Sequence, residues 1–305
     1  MQRWRFATLA IMVFAGLSLP PASAPAMAEP YRLAPYKDDL FAYPKILDEQ
    51  YDGAYLEVEY DRPRDLDARD AVRGEKVKPD YVSLDPNAVT ADRTVKLGRK
   101  SISYYAVGKV DGGAKAIVVF VHGLGTGRDT GVDDWIHGGN FNRIKNLMMR
   151  NDGVYISPSF SNYRSGGAEE MRDLILFASV MSPDAPVFLA CGSMGAKLCW
   201  RLFRDDAVRP LLGGVMLLDP VMDRDDIRFA AALPPADRVP ILITGSREDT
   251  RVGWKAQRDL FVAMKTGVPD YPIRYVLFSA GTHGLSWRMV DWRTTLNWML
   301  ETGGR

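Results

Sequence analysis

The stretch LACGSMGAK, residues 189–197, sets a serine among glycines where an apolar run gives way to helix-forming residues. Val187 to Ala190 read as a short buried strand and Met194 to Phe203 as a helix, so Ser193 falls at a sharp strand-to-helix joint. Gly192 and Gly195 leave room there for two backbones to come close. A serine rarely needs such a setting unless its hydroxyl must be presented, so the rest of the chain has to supply what it is presented to.

Outward from this joint, strand and helix signals alternate from about residue 94. TVKL and SISYYAV flank Gly98 as a hairpin. AIVVFVHG (116–123) is a continuous β-branched run, typical of a strand buried on both faces. GVYISPS (153–159), PVFLACGS (186–193), GGVMLLDP (213–220), VPILITGS (239–246) and IRYVLFS (273–279) continue the series. Helical spacing covers 168–181, 194–203, 254–267 and 286–301. This alternation implies an α/β fold with a mostly parallel central sheet and helices on both faces. Ligands bind such sheets beyond the carboxyl ends of the strands. The residues expected there are His122-Gly123, Ser193, Asp219, the 246–252 loop and the 280–284 loop.

Serine is a weak nucleophile until a neighbouring base takes its proton, and the base needs a carboxylate behind it. The chain offers these in order: Ser193 in GSMG, Asp249 in GSREDTRV and His283 in SAGTHG. Asp219, at the end of the preceding strand, is an alternative acid, or a residue that closes a strand-end turn by hydrogen bonding. The order Ser, acid, His and the elbow around Ser193 resemble the serine hydrolases of the α/β-hydrolase superfamily, over roughly residues 94–301. The elbow departs from G-x-S-x-G in carrying Cys191 at the first glycine. GSREDTRVGWKAQRDLF resembles the acid loop of esterases and of prolyl-oligopeptidase-like peptidases. The resemblance implies an α/β-hydrolase fold with Ser193 as nucleophile, Asp249 as acid and His283 as base. It further implies an oxyanion hole from the N–H groups of Met194 and Leu124, the latter in HGLGTG (122–127). His122 is expected to brace that loop.

Other chemistry has little support. GLGTG lacks the spacings of phosphate-binding loops, and the three histidines, His122, His137 and His283, form no metal-ligand motif. No cofactor is expected. His137, in DDWIHGGN, is expected to be a solvated loop residue. Charge is balanced, 39 Lys+Arg against 38 Asp+Glu, which gives no nucleic-acid footprint. Cys191 and Cys199 are read as small buried hydrophobes, because one lies on a strand and the other well into the next helix.

Arg3 and Arg5 precede the apolar run FATLAIMVFAGLSL and then small residues ending in AMA at 26–28. This is the layout of a signal peptide, residues 1–28, cleaved after Ala28, and it implies a periplasmic or secreted protein with no stable membrane span. Residues 29–90, Tyr- and Asp-rich, are read as an N-terminal extension packed on a catalytic domain at 91–305. DRPRDLDARD (61–70) within it is read as a solvated segment. Only about 20 residues join the strand ending near Asp219 to the next, which leaves no room for a large cap. An open cleft suits a bulky substrate, and Trp135, Tyr163, Trp254 and Trp287 are expected to line it. The expected substrate is a carboxylic ester, on a polysaccharide, another bulky acceptor or a lipid. A serine peptidase is the enzymatic alternative. A binding or assembly protein of the cell envelope is the non-enzymatic one, since fold alone does not fix function.

Overall fold

A computed structural model describes residues 30–72 and 76–303. The expected signal peptide lies outside the described residues. The chain runs α1 (Asp38–Phe41), β1 (Ile46–Gln50), β2 (Tyr55–Val58), β3 (Asp70–Val72), β4 (Lys76–Val77), β5 (Thr90–Leu97), β6 (Lys100–Gly108), β7 (Ile117–Val121), α2 (Asn140–Arg150), β8 (Val154–Pro158) and α3 (Ser165–Met181). It continues through β9 (Val187–Gly192), α4 (Ala196–Arg204), β10 (Leu212–Leu218), α5 (Arg224–Ala231), β11 (Ile241–Ser246), α6 (Trp254–Gly267), β12 (Ile273–Phe278), α7 (Leu285–Met289) and α8 (Trp292–Gly303).

Ten of these strands form one sheet in the order β1-β2-β12-β11-β10-β9-β7-β8-β6-β5. From β2 to β8 every neighbouring pair is parallel, and antiparallel strands are added at both ends. The parallel centre follows from sequence: β7, β9, β10 and β11 are buried at every position, as strands covered on both faces must be. Alternate residues feed two cores. Val119, Val121 and Leu189 pack with Leu174 of α3, Leu198 of α4 and Phe261 of α6. Val118, Phe120 and Ala190 face the other way, onto Phe141 of α2 and Trp292 and Leu296 of α8. The connection after β10 holds the eight-residue α5 and a single 3₁₀ turn, Pro235–Asp237, so no separate cap stands over the sheet.

Several boundaries differ from the sequence reading: α3 starts at Ser165 and β5 at Thr90, both earlier than expected, and α2 falls where the sequence reading has no helix. The helix after Ser193 starts at Ala196, because a single tight turn, Ser193–Gly195, comes first. The last helical stretch is two helices, broken at Val290 and Asp291. Residues 31–90 contribute β1 and β2 to the main sheet and cover α2. That cover explains why Arg143 of α2 is fully buried: Asp38 and Asp291 hold its guanidinium at 3.0 and 3.1 Å. Asn142 next to it exchanges hydrogen bonds with the Ser83 backbone at 3.0 and 2.8 Å.

Segment 61–70 is not solvated throughout. Asp65 and Arg69 are buried, and Arg69 donates twice to the Gly138 carbonyl while its guanidinium lies 4.6 Å from the Phe41 and Tyr81 rings. Dense charge predicted exposure; instead the Gly138 carbonyl and two aromatic rings take the place of water around Arg69, and neighbouring Arg64 pairs with Asp65 at 2.8 Å.

Cys191 and Cys199 form a disulfide, with Cα atoms 6.4 Å apart. The expectation of two unlinked thiols fails because α4 turns back over the sheet straight after the elbow. Cys199 lies only one turn into α4, and that turn faces the end of β9.

Candidate active site

Ser193 follows the last residue of β9 and takes φ +49°, a left-handed conformation unfavourable for a side chain with a Cβ. The strain is held by contacts on both sides. A Cβ on Gly195 would lie 2.3 Å from the Val121 carbonyl oxygen and 2.7 Å from that of His122, so only glycine lets the turn press against the end of β7. A Cβ on Gly192 would lie 2.4 Å from Cζ2 of Trp287. The close approach at Gly195 is to backbone, as expected; the one at Gly192 is to an aromatic ring.

The loop after β12 carries His283. Its Nε2 lies 2.8 Å from Ser193 Oγ and its Nδ1 lies 2.7 Å from Asp249 Oδ2. Asp249 follows β11, and its other oxygen accepts from the N–H groups of Arg251 (2.8 Å) and Val252 (3.0 Å). Its carboxyl is almost wholly buried. The carboxylate draws the imidazole proton to Nδ1, which leaves the Nε2 lone pair toward the serine hydroxyl. Residues 56 and 34 positions apart in the chain are thus joined in one hydrogen-bonded row, because three neighbouring regions of the sheet end side by side.

Asp219, the alternative acid, does not bond the imidazole. It is fully buried, has φ +49°, and accepts from Gly284 N (3.0 Å), Ser286 N (3.3 Å) and Ser286 Oγ (2.8 Å). It therefore grips the backbone that carries His283. Burial pushes its carboxyl up to about 6, against the opposing pull of its Ser286 hydrogen bond and of His283.

The Gly123 loop packs directly on the serine: a Cβ on Gly123 would stand 3.1 Å from Ser193 Cβ. His122 lies 3.1 Å from the Gly123 carbonyl through Nδ1 and stacks on Phe160 at 4.2 Å. Burial holds its imidazole below the ordinary value. Leu124 is 71% exposed at the mouth of this loop.

Of the four expected cleft aromatics, Trp287 is a correction. It is 5% exposed and wedged among Gly192, Phe120, Phe141 and His137, where it backs the elbow from inside. Its place just after a strand-end loop hid the fact that α7 turns it into the core. Tyr163 packs on His122 and Phe160. Trp254 starts α6 and stacks beneath Arg247 at 4.7 Å, and Trp135 is half-buried with its carbonyl bonded to Val77 N. None of these four lines the cavity beside His283.

That cavity, about 450 Å³, is walled by Tyr60, Arg62, Leu66, Glu248, Thr282 and His283, with His137 and Arg288 also contributing. His137 is thus not the solvated residue expected. Enclosed by aromatic rings, it is driven down to about 4 by burial first and by the Arg288 charge second. The wall from residues 60–66 was missed as well. Arg288 ties that segment down, bonding Asp70 through both guanidinium amines at 3.0 and 2.7 Å and the Asp65 carbonyl at 3.1 Å. No local pattern announces this, since the partners stand more than 200 residues apart.

No protein-family model matches the chain, and no curated protein matches it in sequence. Among solved structures, the esterase Pf2001 of Pyrococcus furiosus superposes in two crystal forms, with TM-scores of 0.53 and 0.52 and identities of 11% and 13%. The match covers 72% of this chain and 95% and 93% of the esterase. A protein of unknown function from Agrobacterium tumefaciens, described as an alpha/beta hydrolase, superposes with TM-score 0.51 and 14% identity over 69% of this chain and 92% of its own.

Proposed function

From the α/β-hydrolase fold we propose that this protein is an exported serine hydrolase that cleaves a carboxylic ester through an acyl-enzyme. The observation that carries the reading is the continuous row Ser193 Oγ, His283 Nε2, His283 Nδ1, Asp249 Oδ2, with steps of 2.8 and 2.7 Å. His283 Nε2 takes the hydroxyl proton as Ser193 Oγ bonds the acyl carbon. Asp249 fixes the tautomer and stabilises the imidazolium. The N–H groups of Met194 and Leu124 receive the charge on the former carbonyl oxygen. Collapse expels the alcohol, which collects the proton from Nε2, and water repeats the sequence to free the acid. The disulfide beside the nucleophile suits the oxidising compartment that a signal peptide would reach, the periplasm or the exterior.

Labelling with a fluorophosphonate probe tests this. The wild type should label, and Ser193→Ala should not while unfolding at the same temperature. A well-folded wild type that resists the probe would overturn the reading in favour of a binding or assembly role. Faster turnover of acyl amides than of matched esters would make it a peptidase.

A further inference from the structure

The cavity beside His283 has a side. In the reaction proposed above, the imidazole that removes the serine proton later delivers it to the departing oxygen. That oxygen must therefore come within hydrogen-bond reach of His283 Nε2, and whatever it carries extends onward from there. The Gly123–Leu124 loop, packed against Ser193, is assigned to the oxyanion in that reaction. The cavity is lined by Thr282, His283 and Gly284 and not by Ser193 or Leu124. It is therefore placed to hold the alcohol half of the substrate.

Its walls say what kind of alcohol fits. Arg62 is mostly exposed, and its closest carboxylate, Asp67, stands 3.5 Å from Nε, beyond a good hydrogen bond. Glu248 is bonded through one oxygen, which accepts from Gly281 N at 2.8 Å. A fork of donors and a carboxylate thus border one space, which Thr282, Tyr60 and Leu66 also line. Arg62 and Glu248 are exposed and keep water on their outer sides, but an alkyl alcohol entering here would cover part of each charge and offer it no hydrogen bond. A ring bearing several hydroxyls gives acceptors to Arg62, donors to Glu248 and an apolar edge to Tyr60. The volume, about 450 Å³, is at the lower end for small-molecule pockets and suits one substituted ring better than a long chain.

We propose that this cavity, closed on one side by residues 60–66 of the N-terminal segment, is the leaving-group subsite and takes a polyhydroxylated alcohol, the sugar side of an acylated glycan. The proposal rests on the serine-hydrolase reading. Its test compares acetyl esters that differ only in the alcohol: a monosaccharide monoacetate and n-hexyl acetate, with full-length mature wild type, Arg62→Ala and Glu248→Gln. The measured quantity is the ratio of kcat/KM for the sugar ester to that for the hexyl ester. The wild-type ratio should exceed one, and each variant should lower it by about three- to fivefold, mainly through KM on the sugar ester, as expected for a lost hydrogen bond to a mostly exposed charge. A wild-type ratio below one, or a ratio that neither variant moves, overturns the subsite. So does failure to hydrolyse either ester by an enzyme that the fluorophosphonate probe labels. Loss of that labelling instead refutes the serine-hydrolase reading itself.

Discussion

Two aspartates flank His283 and differ in what they touch. Asp249 bonds the imidazole; Asp219 accepts from the Gly284 and Ser286 amides that follow His283 in the chain. Asp249→Asn keeps an oxygen for the Arg251 and Val252 amides but turns an NH₂ toward Nδ1. That reverses the tautomer and should cost about 10³–10⁴-fold in kcat. Asp219→Asn keeps one acceptor for the loop and leaves the Asp249–His283 contact in place, so the loss should stay near tenfold or below. Steady-state hydrolysis of p-nitrophenyl acetate ranks the two, and a larger loss at Asp219 would reverse the assignment. The identities of Ser193, Asp249 and His283 were legible because each follows a recognisable strand. The distinct task of Asp219 was not, since its partners Gly284 and Ser286 lie over 60 residues downstream.

The element that matters most is the strand-turn-helix around Ser193, and it is secured in three ways. Gly195 lets it press on β7, Trp287 supports it from the opposite core, and the Cys191–Cys199 disulfide spans it. The sequence separation of 8 puts the loop-closure contribution of the disulfide at about 2.5 kcal/mol. A Cys191→Ala/Cys199→Ala variant should therefore melt about 4 °C lower under non-reducing conditions. An unchanged Tm, together with two alkylatable thiols in the unfolded wild type, would show the pair reduced. The elbow's existence could be read from nine residues. Its fastening could not, because the angle at which α4 returns over β9 is set by packing against α3 and the sheet, and that angle brings the sulfurs together.

At the scale of the whole molecule, burial of two titratable groups by distant segments shapes the response to pH. His137 falls from 6.5 to about 4, so the unfolded chain binds more protons between those values and stability rises with pH across that window. Asp219 rises from 3.8 to about 6, so the folded state holds the extra proton and stability falls as pH climbs through that window. The slopes oppose each other, and wild type is flatter than either single variant. Relative to wild type, His137→Asn should gain stability as pH drops from 6.5 to 4, and Asp219→Asn as pH climbs from 4 to 6, by a few degrees each in thermal unfolding. Asparagine suits both positions, because each takes φ +49°. Parallel Tm curves for all three proteins from pH 4 to 7 would show that neither group is buried as described.

By itself the sequence determined the parallel sheet, the absence of a large cap and the strand ends where Ser193, Asp249 and His283 sit. Each of these is written locally, in runs of β-branched residues and in the turn that follows them. Only the tertiary structure decided which side chains close around those three. Arg288 reaches back to Asp70, Trp287 turns inward beneath Gly192, and residues 60–66 become a wall beside His283. Such contacts join segments far apart in the chain, and their energies come from desolvation and shape. No window of sequence carries either.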